Sequence, residues 1–268
     1  MNNLIGNNVL TSVADEKLLK QIIPQNRAVS NGVSNWLPDL NNSWFRYGIP
    51  EDIVDLINKE VNDEIIYTDL IAYYARKFEK VSYLELGVSV GKNFWTLLNY
   101  FKHADLVGFD IEDMPPVLRS SVGNRIVQKE WQGPSDSVRK TSSFFEEYEF
   151  NTNRLCYITA DIYDEKAWEK MKGRKFNIIF SDALHDPNAL LFEYQMLLKY
   201  DLLAKDYMIF WDDLHGAMLE SFKSIAAQIK RKRFFRRTES KLVEVNGWLG
   251  QNYPHKHPVG IVSTFKID

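Results

Sequence analysis

Five apolar runs in this chain each break off at a carboxylate. SYLEL carries Glu85 just ahead of Gly87, LVGFD ends in Asp110, LCYITA precedes Asp161, FNIIFS precedes Asp182, and YMIFW precedes the pair Asp212–Asp213. Runs this short and apolar, bounded by turn residues, read as buried strands. In a parallel sheet the carboxyl ends of the strands face one crevice, so six acids would share an edge. Two carboxylates about 4 Å apart repel by roughly 4 kcal/mol at an effective dielectric near 20, and such an edge calls for cations or strong donors. Asp182, Asp212 and Asp213 offer hard oxygen ligands at the ends of adjacent strands. With positions left for water or substrate, that set suits Mg2+ and also Mn2+ or Ca2+. His185, three residues past Asp182 in DALHD, titrates near neutral pH and can take a proton from an acceptor hydroxyl. A divalent ion holding two substrate oxygens would lower the pKa of that hydroxyl. The structural alternatives are plain ones: an Asp212 or Asp213 that caps the helix starting near Gly216, and a His185 that only hydrogen-bonds Asp182 or Asp186. His215 reads as a capping or supporting residue, and His255 and His257, in a proline-flanked hairpin loop, as weak metal ligands on their own.

The stretch VSYLELGVSVG (81–91) and the helix-like KNFWTLLNYF after it supply a strand, a tight turn and a helix start, and Leu106–Ile111 the next strand. That is an opening β-α-β unit of a nucleotide-binding sheet. A dinucleotide fingerprint would need glycine at the third and sixth positions of a motif begun at Gly87. Ser89 and Lys92 stand there instead, while the second glycine is Gly91. With Asp110 at the end of the second strand to accept from a ribose diol, the pocket suits a nucleoside better than a pyrophosphate. The competing reading is a merely structural strand-to-helix turn.

On Glu85, Gly87 and Gly91, an acid, any residue, Gly, three residues and Gly, the chain resembles the class I S-adenosylmethionine-dependent methyltransferases. The resemblance covers roughly residues 80–216. It implies that the ammonium and sulfonium of S-adenosylmethionine lie near Glu85 and the turn, the ribose on Asp110 and the adenine amino group near Asp161. Within that superfamily, DALHD and WDDLH (211–215) are similar to the metal-dependent small-molecule O-methyltransferases, of the catechol and sugar-modifying kinds. That likeness makes Asp182, Asp212 and Asp213 the metal ligands, and His185, in an Asp-x-x-His pattern, the base. Glu193 falls where such sequences often carry another acid of structural role. Two departures stand out: Ala183 where a glycine is common, and AKD (204–206) where a Gly-Gly turn usually precedes the fifth strand. The implied acceptor is a small hydroxylated molecule, for instance a sugar of a natural product or glycan.

The elements that must position these residues follow from the rest of the chain. With 268 residues, 45% of them hydrophobic, the chain can bury a full core. A net charge of −3 exerts no global pull on nucleic acid or anionic membrane. The single Cys156 excludes an intrachain disulfide, no apolar run approaches a membrane span, and the N-terminal residues lack a positively charged leader; the expectation is a cytoplasmic protein. Monomer and homo-oligomer are both compatible with the sequence.

The expected fold is α/β: a Rossmann-like doubly wound sheet, mostly parallel, with a C-terminal antiparallel hairpin from KLVEVNGWLG and VGIVSTFKI. Residues 1–79 form an N-terminal arm and helical cap, with Trp36, Trp44, Phe45 and Tyr47 packed on the main domain. Residues 80–268 form the methyltransferase domain. Residues 112–154 interrupt it as an insertion or lid, in which SDSVRKTSSFFEEYEF (135–150) reads as a helix. KRKRFFRR (230–237) interleaves basic and aromatic residues. It keeps a second reading alive, an RNA-directed methyltransferase or non-catalytic RNA-binding protein, against the ordinary one of a solvated helix end.

Overall fold

The computed structural model describes residues 13–37, 49, 51–134, 142–232 and 238–267. Nine strands form one sheet: β1 (Ser82–Leu86), β2 (Asp105–Asp110), β3 (Arg125–Gln132), β4 (Ser142–Phe150), β5 (Asn153–Thr159), β6 (Phe176–Ser181), β7 (Leu203–Trp211), β8 (Glu239–Val245) and β9 (His257–Ser263). Their spatial order is β3-β4-β5-β2-β1-β6-β7-β9-β8. The central five pair in parallel, and an antiparallel pair sits at each edge. Taken in chain order, those five run third-second-first-fourth-fifth, so the winding reverses between β1 and β6. This is the doubly wound, Rossmann-like arrangement, with its crevice at the strands' carboxyl ends.

Alternation along the buried strands explains the helices on both faces. Tyr83, Leu106, Ile178, Met208 and Phe210 point into one apolar layer, shared with α1 (Val13–Ser30), α2 (Tyr67–Ala75), α3 (Lys92–Tyr100) and α4 (Pro116–Ser121). Their sequence neighbours Leu84, Leu86, Val107, Ile179, Ile209 and Trp211 point into the other, under α5 (Glu165–Glu169), α6 (Pro187–Lys199) and α7 (Gly216–Lys232). Side chains two apart share a face, which puts Glu85 on the same side as Tyr83.

The first N-terminal helix is tied to the second by a buried ion pair. Arg27 of α1 grips Asp69 of α2 through two hydrogen bonds, 2.7 and 3.1 Å, and Asn26 and the Ile66 N–H donate to the same carboxylate. Trp36 and Leu37 are buried with Ile53, Ile57, Val90 and Leu249; Trp44, Phe45 and Tyr47 lie outside the described residues.

The expected helix over 135–150 is corrected. Ser142–Phe150 is β4, hydrogen-bonded to β3 on one side and β5 on the other. SSFFEEYEF satisfies a period of two: Phe145 stacks into the α5–α7 layer while Tyr148 and Phe150 reach the α1–α4 layer. The strands on either side supply the backbone partners that a lone strand would lack. The interruption at 112–154 is therefore mostly sheet, and its residues 135–141 lie outside those described. No helix among the described residues is long and apolar enough to cross a membrane.

Candidate active site

The strand register carries the acids to one edge. Beyond the last ladder pairs, the Gly87 N–H donates to Phe109 O, Asp182 N–H to Leu86 O and Asp212 N–H to Ser181 O, all within 2.8–3.0 Å. These bonds extend the sheet by one rung and hold the loops side by side. The turn after β1 carries three positive φ values in five residues, +80° at Gly87, +51° at Ser89 and +85° at Gly91. At Gly87 a Cβ would stand 2.2 Å from the Asp182 carbonyl oxygen. Only glycine lets the β1 and β6 turns meet this closely.

Asp182, Asp212, Asp213 and His185 converge. His185 Nε2 lies 3.0 Å from Asp182 Oδ1 and its Nδ1 3.5 Å from Asp213 Oδ2. The hydrogen bond His185 donates to Asp182, with the charges of Asp182 and Asp213, outweighs burial and raises the pKa of His185 to about 9. In this arrangement the ring is an imidazolium at neutral pH, and a base role requires its proton to leave. Positive charge added beside the acids would favour that departure. Asp186 is used elsewhere: it caps α6, accepting from the N–H groups of Asn188 and Ala189.

Three further residues join the site: His257, which the sequence offered only as a weak metal ligand, and Tyr67 and Tyr253, which it did not single out for it. His257, the first residue of β9, places Nδ1 3.0 Å from both Asp212 Oδ2 and Asp213 Oδ1. Burial disfavours its charged form, but the two carboxylates prevail and its pKa rises to about 10. Burial and the charge of Asp182 push the pKa of Asp212 up, so Asp212 and His257 both hold the shared proton more tightly than in water. Asp213, less buried, is held below the usual carboxylate range by His257 and His185 despite its partial desolvation. Tyr67, opening α2, sets its hydroxyl 3.4 Å from Asp182 Oδ2 and its ring against Phe180 and His257. Tyr253 packs edge-on against His257 with ring centroids 4.6 Å apart. The readable signals were thin: a histidine beside proline in a loop, and a tyrosine inside an apolar run that reads as core.

The proposed cofactor residues divide. Glu85 turns into the α1–α4 layer, where it accepts from Tyr83 Oη (2.5 Å) and Asn93 Nδ2 (2.9 Å). Burial raises its pKa well above the usual range. Asp110 accepts three backbone N–H groups, from Val88, Ser89 and Glu112, at 2.7–2.8 Å. It staples the glycine turn to β2, and of the four lone-pair sites of a carboxylate one is left. Asp161 stands partly exposed at the same edge and accepts the Tyr163 N–H. In the basic stretch, Lys230–Lys232 end α7, and residues 233–237 lie outside those described.

No family model and no curated protein matches this sequence. Among solved structures, the chain is similar to the plantazolicin methyltransferase BpumL in complex with SAH, at 14% identity and a TM-score of 0.46, covering 93% of this chain and 99% of that one. It is also similar to MycE methyltransferase from the mycinamycin biosynthetic pathway, in complex with Mg, SAH and mycinamycin VI, at 15% identity and a TM-score of 0.45. That match covers 85% of this chain and 54% of MycE. Cofactor-bound Rv0187 from MTB gives 12% identity and a TM-score of 0.43, over 95% and 92% of the two chains. At TM-scores below 0.5 these likenesses carry no argument about chemistry, which rests on this chain's own residues.

Proposed function

We propose that this protein is an S-adenosylmethionine-dependent, divalent-metal-assisted O-methyltransferase acting on a hydroxyl of a small molecule, such as a sugar of a natural product or glycan. The observation that carries the reading is the meeting of Asp182, Asp212, Asp213 and the hydrogen-bonded His185 at the carboxyl edge of a parallel sheet, beside the glycine turn at its switch point.

The residues fit the two groups. For the cation, Asp212 Oδ1 is buried with no hydrogen-bond partner, a costly state for a carboxylate oxygen that a bound cation would relieve. For the nucleoside, Asp110 keeps one acceptor site for a ribose hydroxyl, and Asp161 stands at the same edge on the side where the adenine amino group would lie. Glu85 supports the turn from beneath through Asn93 of α3. When bound, S-adenosylmethionine supplies the electrophilic methyl and the metal lowers the pKa of the acceptor hydroxyl. The chain's part is to hold Asp182 with Tyr67, to hold His185 with Asp182, and to accept the acceptor's proton at a ring nitrogen of His185.

Calorimetry with S-adenosylmethionine, with and without Mg2+, tests the reading. One molecule bound per chain is expected, with a matching rise in Tm; a ligand at a hundred times its Kd adds about 2.7 kcal/mol of stability. The absence of both binding heat and a Tm rise at millimolar S-adenosylmethionine would refute it.

A further inference from the structure

The sequence pattern nominated Asp182, Asp212 and Asp213 as metal ligands. The geometry points to a different division of labour: we propose that Asp212, Asp213 and His257 hold the divalent ion as a mixed carboxylate–imidazole site, while Asp182 is a positioning residue for His185. This deepens the methyltransferase reading and rests on it for the site's purpose.

Among the described residues, the group whose potential ligand atoms all lie within 4.8 Å of one another is Asp212, Asp213 and His257. Asp182 is not in it, its oxygens facing His185 Nε2 at 3.0 Å and Tyr67 Oη at 3.4 Å. His257 Nδ1 stands 3.0 Å from an oxygen of each aspartate. An octahedral ion with bonds of about 2.1 Å spaces adjacent ligand atoms about 3.0 Å apart, the spacing that both Nδ1–oxygen pairs already have.

Hydrogen counting supports the same conclusion. A ring nitrogen carries at most one hydrogen, and Nδ1 is within 3.0 Å of two carboxylate oxygens. One hydrogen bond, to Asp212, uses it. Asp213 Oδ1 and Asp212 Oδ1 remain buried without a hydrogen-bond partner. The side chains of Asp212 and His257 are 1% and 5% exposed and that of Asp213 22%. A cation among these three residues would relieve Asp213 Oδ1, which the one Nδ1 hydrogen leaves unpartnered.

The site is also preorganised. The imidazole of His257 is stacked by His255 (5.6 Å, 21°) and met edge-on by Tyr253. Its far edge lies against Gly247, where a Cβ would come within 2.7 Å of Nε2.

A nitrogen in the set changes the expected ion. Carboxylate and water alone suit Mg2+ and Ca2+, whereas imidazole shifts preference toward transition metals along the Irving–Williams order. Mn2+ should therefore bind more tightly than Mg2+, with three protein ligands leaving positions for water or two acceptor oxygens.

The test uses the whole protein and Mn2+. Pulsed electron paramagnetic resonance of the wild-type complex should show 14N coupling from a directly bound imidazole, which needs no variant to fold. The coupling should persist in His185→Gln and Asp182→Asn and vanish in His257→Gln. Mn2+ affinity should fall more than ~100-fold in His257→Gln, beyond the 10- to 100-fold typical of outer-sphere changes, and by less than that in Asp182→Asn. Bound Mn2+ without 14N coupling, coupling lost with His185 instead of His257, or no Mn2+ binding at millimolar concentration each overturns the proposal. The S-adenosylmethionine titration separates the two readings: cofactor binding without this metal site leaves methyl transfer standing, and Mn2+ coupling without cofactor binding leaves only the metal site.

Discussion

Replacing Arg27 with Met should loosen α1 from α2 at a cost that can be worked out from the contacts. The guanidinium is 6% exposed and the Asp69 side chain 0%. The guanidinium makes two bonds to Asp69 and donates to the carbonyls of Asn62 (2.5 Å) and Glu64 (2.7 Å). Methionine fills much of the volume, so packing changes little. What remains is a buried carboxylate held only by Asn26 and the Ile66 N–H. Removing one partner of a buried pair costs about 3–5 kcal/mol. With a urea m value of about 3 kcal/mol/M for a chain at the large end of the range, the unfolding midpoint should drop by about 1–1.5 M. Adding Asp69→Asn to Arg27→Met should cost less than the sum of the two single changes, since neutralising the stranded acid removes the larger penalty. The same clamp fixes the start of α2, so Tyr67 and its contact with Asp182 should loosen as well. A midpoint shift under about 0.3 M, or about 1 kcal/mol, with the fold retained, would refute the claim that this pair clamps α1 to α2.

Other expectations follow from the same geometry. Glu193 of α6 is buried beside Ser181, whose hydroxyl donates to it at 2.6 Å; burial lifts its pKa from 4.5 to about 8. The folded state thus holds a proton that the unfolded chain releases, so the stability Glu193 confers is full below pH 4.5 and lost as pH rises through 8, by up to about 5 kcal/mol. Urea titrations at several pH values check it, and Glu193→Gln should remove the dependence. For His185, the hydrogen bond it donates to Asp182 is the largest cause of its raised pKa; proton NMR titration should find its pKa falling toward 6.5 in Asp182→Asn, and an unchanged value would dissolve the proposed dyad. Gly87→Ala should destabilise strongly, since φ is +80° and the new Cβ meets backbone at 2.2 Å. Gly173→Ala, at φ +89° with nothing within 4 Å, should cost only the conformational strain, of order 1–3 kcal/mol; thermal melts of the pair separate clash from strain.

Much of this architecture was legible before any coordinates. Apolar runs ending in turn residues located β1, β2, β5, β6 and β7, because a strand buried on both faces admits little else. The tail read correctly as a hairpin, and the ordering of strands and acids along the chain was enough to place Asp182, Asp212 and Asp213 on one edge. The reading failed at β4, where FFEEYEF suits a helix as well as a strand locally. Pairing with β3 and β5 settled it, and those partners are properties of the whole sheet.

Side-chain direction was decided only in three dimensions. That Glu85 turns inward depends on the pleat it shares with Tyr83, and that Asp110 spends its oxygens on the turn depends on where the Val88 and Ser89 N–H groups point. His257 shows the limit most clearly. It lies 45 residues beyond Asp212, and β9 had to pair antiparallel with β7 before that histidine could meet the two aspartates. Sequence alone determined which residue types end the strands, because burial and turn chemistry act locally. The fold decided which of those groups touch, because hydrogen bonds and ligand spacings are set to a few tenths of an ångström by contacts between elements remote in the chain.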